Sequence, residues 1–275
     1  MTDRYAVIGN PISHSKSPII HAAFAKQTSQ DLTYTAILAP LEGFEDEVRK
    51  FQDSGGKGMN VTVPFKQKAW HLANHLSNRA IDAEAVNTLE FLVDGGIRGD
   101  NTDGVGLVRD IQDNLAIMLQ GKRILLMGAG GAARGVMTPL LEAHPERLVI
   151  VNRTLDKAEQ IVRHYEQGDR FSQVSISSST YDLSGNQFDI VINATSASLS
   201  DALPPLSAGI FAPGSLAYDM MYGKGLTPFL QFAQAQGAAR LADGLGMLVE
   251  QAAESFFLWR NVRPDTQPII QLLKQ

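Results

Sequence analysis

Arg123-Ile124-Leu125-Leu126-Met127-Gly128-Ala129-Gly130-Gly131-Ala132-Ala133-Arg134 decides how the chain is read. Its first five residues suit a buried strand, with Arg123 leading the apolar run Ile124-Leu125-Leu126-Met127. The glycine-rich segment follows, and a helical pattern then extends to residue 142. Strand, glycine turn and helix in that order match a dinucleotide-binding fingerprint. One glycine permits the tight turn, another lets the backbone approach a pyrophosphate, and small Ala133 allows close helix–strand packing. Free N–H groups and the dipole at the helix N-terminus favour phosphate there. A tight turn with no ligand is the plainer alternative, and the placement between strand and helix favours binding.

The next strand, 148–151, ends in Asn152-Arg153-Thr154. An NAD-preferring site puts an acid about 20 residues past the glycines, on the ribose hydroxyl. This chain offers Arg153 instead, with Lys157 close behind. Two cations at that strand end suit a 2′-phosphate, so NADP(H) is expected over NAD. The competing reading is that Thr154 caps the following helix and the cations are solvated.

With 275 residues, 44% hydrophobic and 19% charged, the chain has enough apolar content for two α/β domains. A formal net charge of −5 without a dense basic run gives no general attraction to nucleic acid or an anionic membrane. The absence of cysteine excludes disulfides and thiolate chemistry. The N-terminal stretch does not read as a signal peptide, and no apolar run approaches a membrane span. A cytoplasmic enzyme acting on a small molecule is the expectation.

Before the fingerprint, strands are expected at 5–8, 32–37 and 58–63, and helices at 18–26, 41–51 and through Trp70. A hairpin is expected across Asp94-Gly95-Gly96. Ser17 before Pro18 reads as a helix N-cap. Apolar spacing over 104–119 reads as a helix bridging to the nucleotide domain. After the fingerprint, helices are expected at 155–165 and 228–235, and strands near 173–176, 188–192, 216–220 and 239–241. A long helix should then run to about residue 260.

Lys66 follows a strand end, and Asp103 sits in a polar turn before the bridging helix; loops at sheet edges collect active sites. A lysine can move a proton if its environment allows. On residues alone, Lys66 reads more readily as a solvated first-turn residue and Asp103 as a helix cap, the usual cases for these residue types. His71 and His75, four apart, could share a wetted helix face, but without a third ligand they do not make a zinc site, so no metal is expected. His14 and His21 flank a loop without an evident acidic partner and read as structural. No Gly-x-Ser-x-Gly elbow supports a serine hydrolase.

Several separated motifs now add up: Ser15-Lys16-Ser17-Pro18, Asn60-Val61-Thr62-Val63-Pro64-Phe65-Lys66, Ala85-Val86-Asn87-Thr88, Asn101-Thr102-Asp103-Gly104, the glycine turn, Asn152-Arg153-Thr154, and Gly244-Leu245-Gly246-Met247 through Gln251. In this order, over essentially the whole length, the chain closely resembles the shikimate dehydrogenases. The resemblance implies an N-terminal α/β substrate domain and a Rossmann-like, doubly wound dinucleotide-binding domain with a cleft between them. The substrate domain would be discontinuous, 1–104 plus 242–275, and the NADP domain 105–241. The implied reaction is reversible NADPH-dependent reduction of 3-dehydroshikimate to shikimate, in aromatic amino acid (chorismate) biosynthesis.

Carried over by resemblance, Lys66 and Asp103 are the catalytic pair, and Ser15, Ser17 and Tyr222 hold the substrate carboxylate. Thr62, Asn87, Asp103 and Gln251 bind the ring hydroxyls. The cofactor lies on Gly128, Ala129, Gly130, Gly131 and Ala132, on Asn152, Arg153, Thr154 and Lys157, and against Thr195, Met220, Gly244 and Met247. The chain departs from many relatives at Thr195-Ser196-Ala197-Ser198, where they carry Ser-Gly, and at Asn78, where they carry an acid. A quinate or dual quinate/shikimate dehydrogenase is the nearest alternative, and a non-catalytic nucleotide-binding regulator the alternative of another class. Monomer and homodimer both remain open.

Overall fold

The computed structural model describes residues 2–167, 169–195 and 206–274. The chain opens with β1 (Asp3–Gly9), α1 (Ser17–Gln27), β2 (Leu32–Leu38), α2 (Phe44–Asp53), β3 (Gly56–Val61) and α3 (Lys66–Leu72). Next come β4 (His75–Leu76), α4 (Asn78–Ala83), the pair β5 (Thr88–Phe91) and β6 (Ile97–Asp100), and α5 (Asp103–Arg109). The fingerprint supplies β7 (Arg123–Met127) and α6 (Gly131–Glu142), followed by β8 (Arg147–Val151), α7 (Leu155–Glu166) and β9 (Ser175–Ser179). The last elements are β10 (Phe188–Asn193), β11 (Phe211–Asp219), α8 (Pro228–Ala235), β12 (Arg240–Ala242), α9 (Leu245–Arg260) and α10 (Gln267–Lys274). They form two compact units, one of Met1–Gly106 with Leu248–Gln275, the other of Leu107–Met247. The divisions fall inside α5 and α9.

The first unit holds a six-stranded mixed sheet, β2-β1-β3-β5-β6-β4, among the described residues. β1 runs parallel to β2 and β3, while β5 and β6 form the expected antiparallel hairpin. Ala6 and Ile8 pack with Phe44, Val48, Phe51 and Phe65 in one core. Tyr5, of opposite parity on the strand, stacks on Trp259 with ring centroids 4.6 Å apart. A second core joins Ile20 and Phe24 of α1 to Val249, Ala253 and Phe256 of α9 and to Ile269 and Ile270 of α10. The apolar face of α9 thus explains why the C-terminal segment belongs with the N-terminal sheet. Burying Phe256 alone contributes roughly 1.5–3 kcal/mol.

In the second unit all described pairings are parallel, in the order β12-β11-β10-β7-β8-β9. Counted from β7, this is the doubly wound order in which the chain reverses direction beside the first strand. Ile124, Leu126, Leu148 and Ile150 enter one core with Val136 and Leu140 of α6. Leu125, Met127, Val149 and Val151 enter another with Phe229 and Leu230 of α8. Burial on both faces accounts for the unbroken apolar runs of these strands.

Four local expectations need correction. The helix expected over 104–119 ends early: α5 passes into a π-helical turn at Asp110–Asn114, and Ala116 takes a left-handed φ of 52°. Leu119 keeps its place in the core without helical backbone. Ser17 is not the N-cap of α1. Lys16, already in helical conformation, holds that position without a side-chain cap bond. The helix expected at 41–51 begins at Phe44, after a turn closed by Gly43 N–H on the Pro40 carbonyl. His71 and His75 share no helix, because α3 stops at Leu72 and His75 lies on β4. α10 and the short β4–α4 segment had no counterpart in the sequence reading.

Candidate active site

The link between Lys66 and Asp103 spans 37 positions of sequence. Lys66 opens α3 after the short turn that follows β3, and Asp103 opens α5 just beyond Asn101 and Thr102 at the end of β6. The Lys66 ammonium donates to Asp103 Oδ2 at 2.6 Å, with side chains 32% and 13% exposed. Asn87 Nδ2 donates to the other carboxylate oxygen, Oδ1, at 2.8 Å. Asp103 is the first residue of α5 rather than its cap, and its own N–H donates to Asn101 Oδ1 at 3.1 Å. Both Asp103 oxygens therefore act as acceptors, Oδ2 from Lys66 Nζ and Oδ1 from Asn87 Nδ2.

Asn87 also reaches Gln251 Oε1 at 3.3 Å, so Lys66, Asp103, Asn87 and Gln251 form one bonded group on α3, α5, the start of the hairpin and α9. Ser15 Oγ accepts the Ser17 N–H at 3.3 Å, and Ser17, 7% exposed, lies beside the Tyr34 hydroxyl. Burial pushes the Tyr34 phenol well above its ordinary value of 10, opposed by Ser17. Thr62 is half-buried, its backbone tied to Ile8 O and Phe65 N–H. Asn78 is the exposed first residue of α4.

In the second unit the glycine turn has the geometry that the fingerprint requires. Gly128 has φ +107°, and a Cβ there would press on the Ala194 carbonyl and the Thr195 methyl at 3.2 Å. The turn thus needs glycine for conformation and for approach. A Cβ at Gly130 or Gly131 would meet nothing within 4 Å, so the start of α6 opens onto free space. Ala133 is fully buried, as close helix–strand packing demands. The Gly128 N–H donates to Val151 O at 2.7 Å, which brings the end of β8 alongside. There Asn152 Nδ2 donates to the Thr154 carbonyl at 2.8 Å, and Thr154 holds the N-cap position of α7 without a side-chain cap bond. Among the described residues, the side chains of Arg153 and Lys157 make no hydrogen bond or ion pair, and both are exposed. Arg153 carries its charge near Tyr181. Backbone N–H groups at an open helix start and two uncommitted cations fit a dinucleotide with a 2′-phosphate.

Thr195 is held by Asn193, whose Oδ1 accepts both its N–H (3.1 Å) and its hydroxyl (2.7 Å). A Cβ on Gly244 would collide with the Met220 carbonyl, so this approach requires glycine and joins two of the expected cofactor contacts. Met247 is 8% exposed and Met220 packs against the same core. Tyr222 is 36% exposed; burial of part of its ring and the nearby Asp243 raise its pKa. Beneath this group, the Tyr218 hydroxyl donates to Asp110 Oδ2 at 2.6 Å, both residues being buried. Burial pushes Tyr218 well above its ordinary value, and the Asp110 charge adds to that shift. Ser196, Ala197 and Ser198 lie outside the described residues.

Three family models match the chain: a shikimate dehydrogenase substrate-binding domain over 7–89, a shikimate/quinate 5-dehydrogenase over 110–200, and a shikimate 5′-dehydrogenase C-terminal domain over 244–274. The shikimate dehydrogenase (NADP(+)) of Nitrosospira multiformis is 63% identical over 275 residues, covering 100% of this chain and 98% of that protein. The chain belongs to the shikimate dehydrogenase family. Among solved structures, the Ael1 enzyme of Pseudomonas putida superposes with a TM-score of 0.94 at 52% identity, covering 98% of each chain. The shikimate 5-dehydrogenase of Thermus thermophilus in complex with NADP(H) and shikimate gives 0.85 at 30% identity, covering 99% of this chain and 98% of that one.

Sequence reasoning missed the polar residues behind these family positions. Asn60, Thr88, Thr102 and Ser255 are buried and bonded to one another or to Asn87. Asp219 accepts from Asn193, Thr227 and the Met221 N–H. A signal existed: Asn60 lies between Met59 and Val61, Asn193 between Ile192 and Ala194, and Ser255 one helical turn past Gln251 beside Phe256. Among the described residues no group of His, Asp and Glu could hold a metal ion, and no helix is long and apolar enough to cross a membrane.

Proposed function

We propose that this chain catalyses the reversible NADPH-dependent reduction of 3-dehydroshikimate to shikimate, on the route to chorismate and the aromatic amino acids. The observation that carries this reading is the Lys66–Asp103 pair at 2.6 Å, bonded through Asn87 to Gln251, in a chain of this family. NADPH, when bound, supplies the hydride. Carbonyl reduction leaves an oxygen that needs a proton, and Lys66 Nζ donates it. Asp103 accepts from Nζ and keeps it aimed; in oxidation the neutral amine takes the proton back. Ser15, Ser17 and Tyr222 hold the carboxylate, and Thr62, Asn87, Asp103 and Gln251 the ring hydroxyls. Amides suit hydroxyls because they both donate and accept.

Residues 128–132 and the start of α6 hold the pyrophosphate, Arg153 and Lys157 the 2′-phosphate with Asn152 and Thr154 beside them, and Thr195, Met220, Gly244 and Met247 the nicotinamide. Residues 1–104 with 242–275 serve as substrate domain and 105–241 as NADP domain. The enzyme works in the cytoplasm as a monomer or homodimer, with no nucleic-acid or membrane partner.

Lys66→Ala tests the mechanism. Turnover on shikimate with NADP is expected to fall about a hundredfold or more, while NADP binding, followed by calorimetry, stays intact. Near-normal turnover removes Lys66 from the reaction.

A further inference from the structure

We propose that Thr88 and Ser255 are positioning residues whose buried hydroxyls fix the Asn87 amide so that its NH2 faces Asp103 and Gln251. This role rests on the function proposed above and extends it to residues that do not touch substrate. The Thr102 N–H can only donate, so the Asn87 atom 2.9 Å from it is the oxygen. The Thr88 hydroxyl donates to that same oxygen at 2.9 Å. Asn87 Nδ2 is thereby turned towards Asp103 Oδ1 and Gln251 Oε1. Gln251 is oriented in the same way, since its Nε2 donates to the Leu248 carbonyl at 2.9 Å.

Thr88 has one proton, and with that proton on Asn87 the 2.8 Å contact between the two hydroxyls has Ser255 as donor. Ser255 shares its one proton between Thr88 and the Gln251 carbonyl, which accepts from it at 3.0 Å one turn back on α9. Asn60 Nδ2 donates to both hydroxyl oxygens, at 3.1 Å to Thr88 and 2.9 Å to Ser255. Asn60 is itself oriented by Tyr34, whose hydroxyl donates to Asn60 Oδ1 at 2.7 Å and has Ser17 beside it. One chain of polar groups therefore runs from Ser17 through Tyr34, Asn60, Thr88 with Ser255, and Asn87 to Asp103 and Lys66. Asn60, Thr88, Ser255 and Asn87 are 0–6% exposed, so water does not replace a lost partner there. A turned Asn87 would present its oxygen to the Asp103 carboxylate, which repels it, and would deprive the substrate site of a donor.

Thr88→Val keeps the shape and removes the hydroxyl; Thr88→Ser keeps the hydroxyl and removes the methyl. Steady-state kinetics with each substrate varied, and calorimetric binding of shikimate, separate this role from simple packing. Thr88→Val is expected to lower kcat/KM for shikimate about tenfold, the loss of a buried hydrogen bond, with the KM for NADP unchanged. Thr88→Ser is expected to stay close to wild type, and Ser255→Ala to follow Thr88→Val. Equal behaviour of Thr88→Val and Thr88→Ser overturns the role, as does an equal rise in the KM for NADP. Should Thr88→Val not fold, wild-type kcat/KM in Ser255→Ala overturns it. Wild-type chain without activity on shikimate overturns the functional reading with it, whereas an active wild type with indifferent variants overturns this role alone.

Discussion

Arg153 and Lys157 stand exposed beyond β8 with no hydrogen bond or ion pair among the described residues. In the proposed function, replacing Arg153 by Gln removes a charge-assisted bond to the 2′-phosphate, commonly about 1.5–3 kcal/mol. The KM for NADP should therefore rise about tenfold or more, and the KM for NAD should hardly change. Steady-state kinetics with the two cofactors checks this; equal effects on both would place Arg153 outside the phosphate site. These cations were legible because they follow a recognisable strand within a few residues. Lys66 and Asp103 stood out singly, at a strand end and in a polar turn, but their pairing was not legible from local pattern, since the contact joins two helix starts far apart in sequence. The Thr88–Ser255 hydroxyls left still less trace, because a buried Thr or Ser looks like any other small residue of a strand or helix.

At the level of elements, the Tyr218–Asp110 bond ties β11 to the π-helical turn after α5. Tyr218→Phe leaves a buried carboxylate short of one donor and should cost about 1–3 kcal/mol of stability, read from urea unfolding. An unchanged midpoint would mean that other groups satisfy Asp110 fully. Strand, glycine turn and helix were readable at 123–142 because each signal is local: apolar run, glycine, then helical spacing. The bridging helix was overextended for the complementary reason. Leu115 and Leu119 keep apolar spacing after the helix has ended, and the left-handed Ala116 that redirects the chain has no sequence signature. α10 was missed although Ile269 and Ile270 complete the core that α1 and α9 begin.

For the whole molecule, acid stability has an identifiable source in His21. The ring is fully buried, stacks on Tyr34 at 4.1 Å, and neither nitrogen makes a hydrogen bond of ordinary geometry. Burial lowers its pKa from 6.5 to about 3, with nearby Asn60 opposing the shift. The unfolded chain thus binds a proton that the folded chain refuses, and stability should fall as pH drops from about 6.5 towards 3, by about 1.4 kcal/mol per unit. Asp189, held down to about 2 by the Arg123 guanidinium, adds a loss only below its ordinary 3.8. His21→Phe should flatten the stability profile between about pH 6 and 4, as measured by urea unfolding; an unchanged slope there would assign the acid sensitivity to other groups. The α/β class, the doubly wound order and the family were legible in the sequence because periodicity and spaced motifs encode them. The side-chain network that aligns the site was not, because it depends on tertiary contact. The reading of this protein as an NADP-dependent shikimate dehydrogenase is tested most directly by following formation of the reduced cofactor with shikimate and with quinate, each with NADP and with NAD. Shikimate with NADP is expected to give the highest kcat/KM by at least about tenfold. NADP binding without shikimate-dependent reduction, preference for quinate, or equal use of NAD would contradict it.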